Sequence, residues 1–110
     1  MSSLNEHYEI VHYQENDKDI FEQWLKRLKD KRAAVAIARR VKRLEYGNFG
    51  EHKPCRSGVW ELVIDYGAGY RVYYYVAGET IILLLCAGDK STQQKDIDKA
   101  VEYLQKFKKG

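Results

Sequence analysis

The sequence predicts an α+β fold in the order β-α-α-β-β-β-β-α, with a mostly antiparallel sheet, a helix hairpin on one face and a C-terminal helix. Three observations predict it. Apolar residues recur at helical spacing from Ile20 to Leu44. After Gly47 the period drops to two, through runs separated by Ser57-Gly58, Gly67-Ala68-Gly69 and Ala77-Gly78-Glu79. Helical spacing then returns between Ile97 and Phe107. Turns this short join neighbouring antiparallel strands. The 110 residues suit one domain over positions 1–110, able to bury roughly two-thirds of its unfolded surface.

The β-branched and aromatic stretch His7 to Tyr13 reads as a first strand. Asn16 or Asp17 offers a cap for a helix striped by Ile20, Phe21, Trp24, Leu25 and Leu28. Asp30 caps a second helix, striped by Ala33, Ala34, Ile37, Val41 and Leu44, which Gly47 ends in a left-handed conformation. Glu51 to Arg56 is a short strand that Pro54 places at an edge, because proline has no N–H for the ladder. In the strand from Val59 to Asp65, Trp60, Leu62 and Ile64 share one face. Tyr70 to Val76 alternates, with Arg71, Tyr73 and Tyr75 on the face opposite Tyr70, Val72, Tyr74 and Val76. Thr80 to Ala87 is apolar on both faces and belongs inside the sheet. Ser91-Thr92-Gln93-Gln94 fits a capping box for the last helix, striped by Ile97, Ala100, Val101, Leu104 and Phe107.

Charge divides the chain. Residues 1–25 carry six acids and one base, residues 26–56 eleven bases and three acids, and the remainder seven of each. The middle block, net +8, is a field that attracts polyanions. Two cysteines, Cys55 and Cys86, make no disulfide framework. The start Met1 to Glu6 lacks the charge and apolar core of a signal peptide, and the run Ile81 to Ala87 is too short to span a membrane. A cytoplasmic protein is expected.

Known cofactor signatures are absent from the sequence. His7, His12 and His52 have no ligand spacing with cysteines or carboxylates. Gly67-Ala68-Gly69 leads into a strand, so it cannot set phosphates on a helix end. Arg71 is more informative. An arginine on an inner strand among tyrosines must pair or meet a ligand. Glu61 or Asp65 on the neighbouring strand would pair it; a phosphodiester would be the ligand. Lys90 precedes the last helix, whose free N–H groups favour an anion. If the sheet brings Arg71, Lys90, Lys53 and His52 together, their charge suits the build-up on a pentacoordinate phosphorus.

The segments Gly58-Val59-Trp60-Glu61-Leu62, Gly69-Tyr70-Arg71-Val72-Tyr73-Tyr74 and Gly88-Asp89-Lys90-Ser91-Thr92-Gln93, in that order, resemble the RelE/ParE toxin superfamily, and more narrowly its HigB-like group of addiction module killer proteins. The resemblance covers about residues 7–107. It implies a type II toxin with a RelE-like fold, paired with a helix-turn-helix antitoxin, that cuts messenger RNA on the ribosome without metal or other cofactor. In that reaction the 2′-hydroxyl attacks the adjacent phosphate and leaves a 2′,3′-cyclic end. It assigns Arg71 to the scissile phosphate, Lys90 to a catalytic position after the last strand, and His52 and Lys53 to the strand before. His52 has the ordinary pKa for acid–base work. Arg39, Arg40, Lys42 and Arg43 would meet the polyanionic ribosome, with Tyr73 and Tyr75 positioning or stacking the RNA. Val63 stands where relatives often place Arg or Lys, which leaves Lys53 or Arg56 to supply that charge. Two other outcomes share the fold: a ParE-like inhibitor of DNA gyrase acting by protein–protein binding, and a toxin scaffold without activity.

Overall fold

The computed structural model describes residues 7–110, so the reading of Met1 to Glu6 lies outside the described residues. The fold is α+β, as the periodicities predict, with five strands in the order β1-β7-β6-β5-β4. These strands are β1 (Glu9–His12), β4 (His52–Pro54), β5 (Trp60–Ile64), β6 (Tyr70–Ala77) and β7 (Ile81–Asp89). Pairing is antiparallel from β4 through β7, while β1 lies parallel to β7, from Glu9 beside Ile81 to His12 beside Leu84. A parallel neighbour needs a crossover connection. The helices α1 (Ile20–Arg27) and α2 (Lys31–Leu44) lie within that connection.

Each layer follows from a pattern of side chains. Phe21 of α1 and Ala33, Ile37, Val41 and Leu44 of α2 pack on one sheet face with Leu62, Ile64, Val72, Tyr74 and Leu84. The other face takes α3 (Gln93–Lys109). There Ile97, Ala100, Tyr103 and Leu104 meet Val59, Tyr73, Leu83, Leu85 and Cys86. Each large apolar side chain buried in these layers contributes about 1.5–3 kcal/mol. The two-sided burial of β7 has a local cause. Tyr73 pairs with Cys86 and Tyr74 with Leu84, which makes Leu85 the extra residue of a bulge. Leu85 and Cys86 thus both face α3, although they are consecutive.

Asp30 caps α2 by accepting a bond from the Ala33 N–H at 3.0 Å, and Gly47 turns the chain at φ +75°, both as expected. Other boundaries differ. Asn16 and Asp17 do not cap α1; with φ of +53° and +64° they form the two-residue turn of a hairpin, β2 (Gln14–Glu15) and β3 (Lys18–Asp19). Asp19 is the cap, accepting from the Glu22 N–H at 2.9 Å. The capping box at Ser91 to Gln94 does not form. A 3₁₀ turn, Lys90–Thr92, intervenes, and α3 starts at Gln93 with no side-chain cap from Thr92. Phe107 is exposed, and Tyr103 takes the inward position instead, stacked on Tyr13 at 4.9 Å.

Candidate functional site

The sheet register decides which of the sequence-derived residues meet. Across β5 and β6, Glu61 stands opposite Tyr73 and Val63 opposite Arg71. Alternation sends Arg71 and Tyr73 to the α3 side, and Tyr73 belongs to that core. Glu61, 2% exposed, lies diagonal to Arg71 on the same side. Its Oε2 sits 3.5 Å from Arg71 Nε, an ion pair too long and poorly aimed for a hydrogen bond. Its Oε1 accepts a 2.8 Å bond from Gln93 Nε2, from the first turn of α3. A buried carboxylate needs such partners, because desolvation of an unpaired charge costs far more than one hydrogen bond returns. Of the two pairings open to Arg71 in the sequence, the structure contains the one with Glu61.

The ion pair leaves the far end of Arg71 free of Glu61. That end reaches a cleft of about 280 Å³ lined by Arg71, Lys90, Glu51, Val63, Asp65 and the Gly67–Gly69 turn. A Cβ on Gly69 would lie 4.0 Å from Arg71 Nη1 and 3.7 Å from Lys90 Cβ, so both cations flank this turn. The Lys90 N–H donates to the Gly69 carbonyl at 2.8 Å and ties the two loops together. Asp89 orders the 3₁₀ turn by accepting from the Ser91 N–H at 2.8 Å and the Ser91 hydroxyl at 2.5 Å. Those bonds, the hydroxyl's first, hold the Asp89 carboxyl below its ordinary pKa. Gly88 is required on steric grounds: a Cβ there would fall 1.8 Å from Asp96 Oδ2. Burial raises the Asp96 carboxyl, while its 2.5 Å bond from Thr92 opposes the rise.

A second cleft adjoins the far side of Glu61, lined by Lys53, Arg56, Gln93, Gln94 and Ile97 among others. Lys53 pairs directly across from Glu61. Arg56 is engaged with Asp98 of α3. Glu61 therefore separates an Arg71–Lys90 cleft from a Lys53–Arg56 cleft.

Four expectations fail on position. His52 pairs with Leu62 and lies on the α1/α2 side, 5.3 Å from Trp60 and 5.5 Å from Phe49 between ring centres. One residue of strand reverses the face, so His52 cannot join Lys53 and Arg71. Tyr73 is fully buried and cannot stack on a base; burial, with the Glu61 charge, pushes its hydroxyl well above the ordinary tyrosine range. Tyr75 packs under α3 with Lys108 Nζ 4.8 Å from its ring centre, away from the Arg71 cleft. Arg40 is a structural clamp, donating to the carbonyls of Phe49, Glu51 and Val63 at 3.3, 3.3 and 2.9 Å. Lys42 pairs with Glu45 at 2.9 Å and is exposed, as are Arg39 and Arg43 on the same helix. In the sequence Gln93 belongs to the capping box and to the Gly88–Gln93 segment of the resemblance, with no role of its own. Nothing local links it to Glu61, 32 residues earlier.

Among the described residues, no helix is long and apolar enough to cross a membrane. The molecule is a sheet layered between helices, with Arg71 and Lys90 flanking a cleft at one end of β6 and β7. Residues 23–106 match the family model described as phage derived protein Gp49-like (DUF891). An uncharacterized protein of Haemophilus influenzae is 51% identical over 80 residues, covering 73% of this chain and 81% of that protein. The chain belongs to the Gp49-like family, which lies in the RelE/HigB-like group of toxins from toxin–antitoxin systems, and the family implies an antitoxin partner.

Proposed function

We propose that the protein is a ribosome-dependent messenger RNA endoribonuclease. The reading is carried by one observation: Arg71 and Lys90 line one cleft, with the Nη end of Arg71 not used by Glu61. A guanidinium fork matches two phosphate oxygens, and Lys90 adds a point charge beside it. The 2′-hydroxyl of the RNA attacks the adjacent phosphorus, the P–O5′ bond breaks, and a 2′,3′-cyclic phosphate remains. The departing 5′-oxygen takes up a proton. Both cations stabilise the negative charge that grows on the phosphorane oxygens. Glu51 and Asp65, on the cleft wall, would accept the 2′-hydroxyl proton. Exposed Arg39 and Arg43 supply sequence-independent contacts to ribosomal phosphates.

The test is induction of the chain in bacteria, with 5′ ends of messages and plasmid supercoiling followed over time. Growth arrest with early message cleavage, abolished by Arg71→Ala in a folded variant, is expected. Losing the charge-assisted phosphate contact should lower the rate by about 10²–10³. A change in supercoiling before any cleavage would replace this reading by gyrase inhibition. No arrest and no cleavage by the wild-type chain would leave an inactive scaffold.

A further inference from the structure

We propose that Glu61 and Gln93 are positioning residues that aim Arg71 at the RNA phosphate, an inference that rests on the ribonuclease reading above. A glutamate almost wholly removed from water sits in the strand beside Arg71, and its place needs a reason. Simple charge neutralisation would be served best by a carboxylate directly facing the guanidinium, bonded to both Nη atoms. The register does the opposite. Glu61 is opposite Tyr73, diagonal to Arg71, and it approaches Nε at 3.5 Å. Nε is the one guanidinium nitrogen that an end-on phosphate fork leaves unused.

Gln93 prevents the alternative arrangement. Its Nε2 holds Glu61 Oε1 at 2.8 Å, so the carboxylate is not free to swing toward the Nη pair. Tyr73, fully buried, closes the sheet side of the same row. Arg71 itself is 13% exposed in its side chain, and Nη1 lies toward the Gly69 turn that Lys90 shares. The guanidinium is therefore drawn electrostatically from its Nε side, with its fork left toward the cleft. The cost of this design is a negative charge near the substrate phosphate, which weakens RNA binding in exchange for orientation.

That trade gives the two substitutions different signatures. Glu61→Gln keeps the size and an acceptor for Gln93 but removes the charge. RNA binding should tighten by about fivefold or more, since one repelling unit charge beside the phosphate is lost. Cleavage should slow by about tenfold or more, because the fork is no longer held in line. Gln93→Leu releases Glu61 to turn onto the Nη pair. Both binding and cleavage should then fall, binding by about fivefold.

The experiment measures binding of ribosomes programmed with a message bearing a 2′-deoxy substitution at the cleavage site, and single-turnover cleavage of the unsubstituted message. Melting of each variant is followed alongside. Opposite shifts in binding for the two variants, with slower cleavage in both, support the proposal. Unchanged binding and cleavage in both variants would overturn it. So would losses of binding and cleavage that only follow the loss of folded protein. If Glu61→Gln does not fold, the Gln93→Leu arm decides alone, since Gln93 is only half-buried in the first turn of α3. Two controls separate the levels: if the parent cleaves no message, the ribonuclease reading itself fails, and if Arg71→Ala cleaves like an active parent, the assignment of Arg71 to the phosphate fails. If it is inactive while the other two variants behave as wild type, only the positioning role fails.

Discussion

Arg71 shows how little separates a structural ion pair from a functional cation. The same guanidinium touches a buried carboxylate through one nitrogen and reaches a cleft with the others. Arg71→Lys tests whether the fork or only the charge matters. Lysine supplies a point charge and cannot bond two phosphate oxygens in one plane, so single-turnover cleavage should fall about tenfold or more with little change in melting. Equal rates would reduce Arg71 to a charge. The cysteine thiols are governed first by burial, with the charges of Glu61 beside Cys55 and Asp96 beside Cys86 adding to it. Desolvation pushes the Cys55 thiol to about 11 and the Cys86 thiol to about 12. The thiolate is the reactive form. Both should therefore resist iodoacetamide at pH 8 in the native protein and react quickly in denaturant, as read by intact mass. Rapid native labelling of Cys86 would mean that α3 opens readily from the sheet.

Elements here are joined by single polar clamps as well as by their apolar faces. Arg40 bonds the carbonyls of Phe49, Glu51 and Val63 and so ties α2 to the edge of the sheet. Arg40→Ala should lower stability by about 1–2 kcal/mol in urea melts, since the half-buried carbonyls of Phe49 and Val63 lose a charged donor. Arg39→Ala, at an exposed position of the same helix, should stay within about 0.5 kcal/mol. The Lys90 turn has its own clamp. Asp89 has a folded pKa below its ordinary value of 3.8. Its contribution is therefore present above pH 3.8 and is lost as pH falls through the lower folded value. Asp89→Ala should cost about 1 kcal/mol at neutral pH, as loss of a cap does, and the cost should shrink in that acid range. Ser91→Ala should cost less, because Asp89 keeps its bond from the Ser91 N–H. A cost for Asp89→Ala that is the same at pH 2 and pH 7 would show that the carboxylate is not the cap.

The whole molecule carries its charge unevenly, net +8 over residues 26–56. The structure divides that block by task. Arg40 serves internal contacts, Lys42 and Arg56 are exposed but paired with Glu45 and Asp98, and Arg39 and Arg43 are exposed on α2. Binding to ribosomes should weaken steeply with salt, linearly on a log–log plot, as released counterions require. The double reversal Arg39→Glu with Arg43→Glu should flatten that slope and leave the cleavage positions in a message unchanged. A sedimentation assay across salt concentrations measures it. Identical slopes for parent and variant would move the ribosome contact to another face.

Local sequence determined the order of the three helices and of the five strands of the main sheet, the edge position of Pro54, the Asp30 cap and the two-sided burial of β7, because each depends on neighbours within a few residues; it missed the small β2–β3 hairpin. The alternation of β6 likewise placed Arg71 and Tyr73 on one face. The sequence patterns of GYRVYY and GDKSTQ pointed to the toxin group to which the Gp49-like family belongs. What the tertiary structure decided was pairing across distance. Strand register moved His52 to the far face and set Glu61 diagonal to Arg71. The turn at Asn16 and Asp17 displaced the α1 cap to Asp19, and a 3₁₀ turn displaced the start of α3. Gln93 came to Glu61 only through the packing of α3 on the sheet. A one-residue shift of strand register reverses every side chain, and a helix can dock at several rotations. Local sequence fixes neither, so the site's geometry is a property of the folded chain.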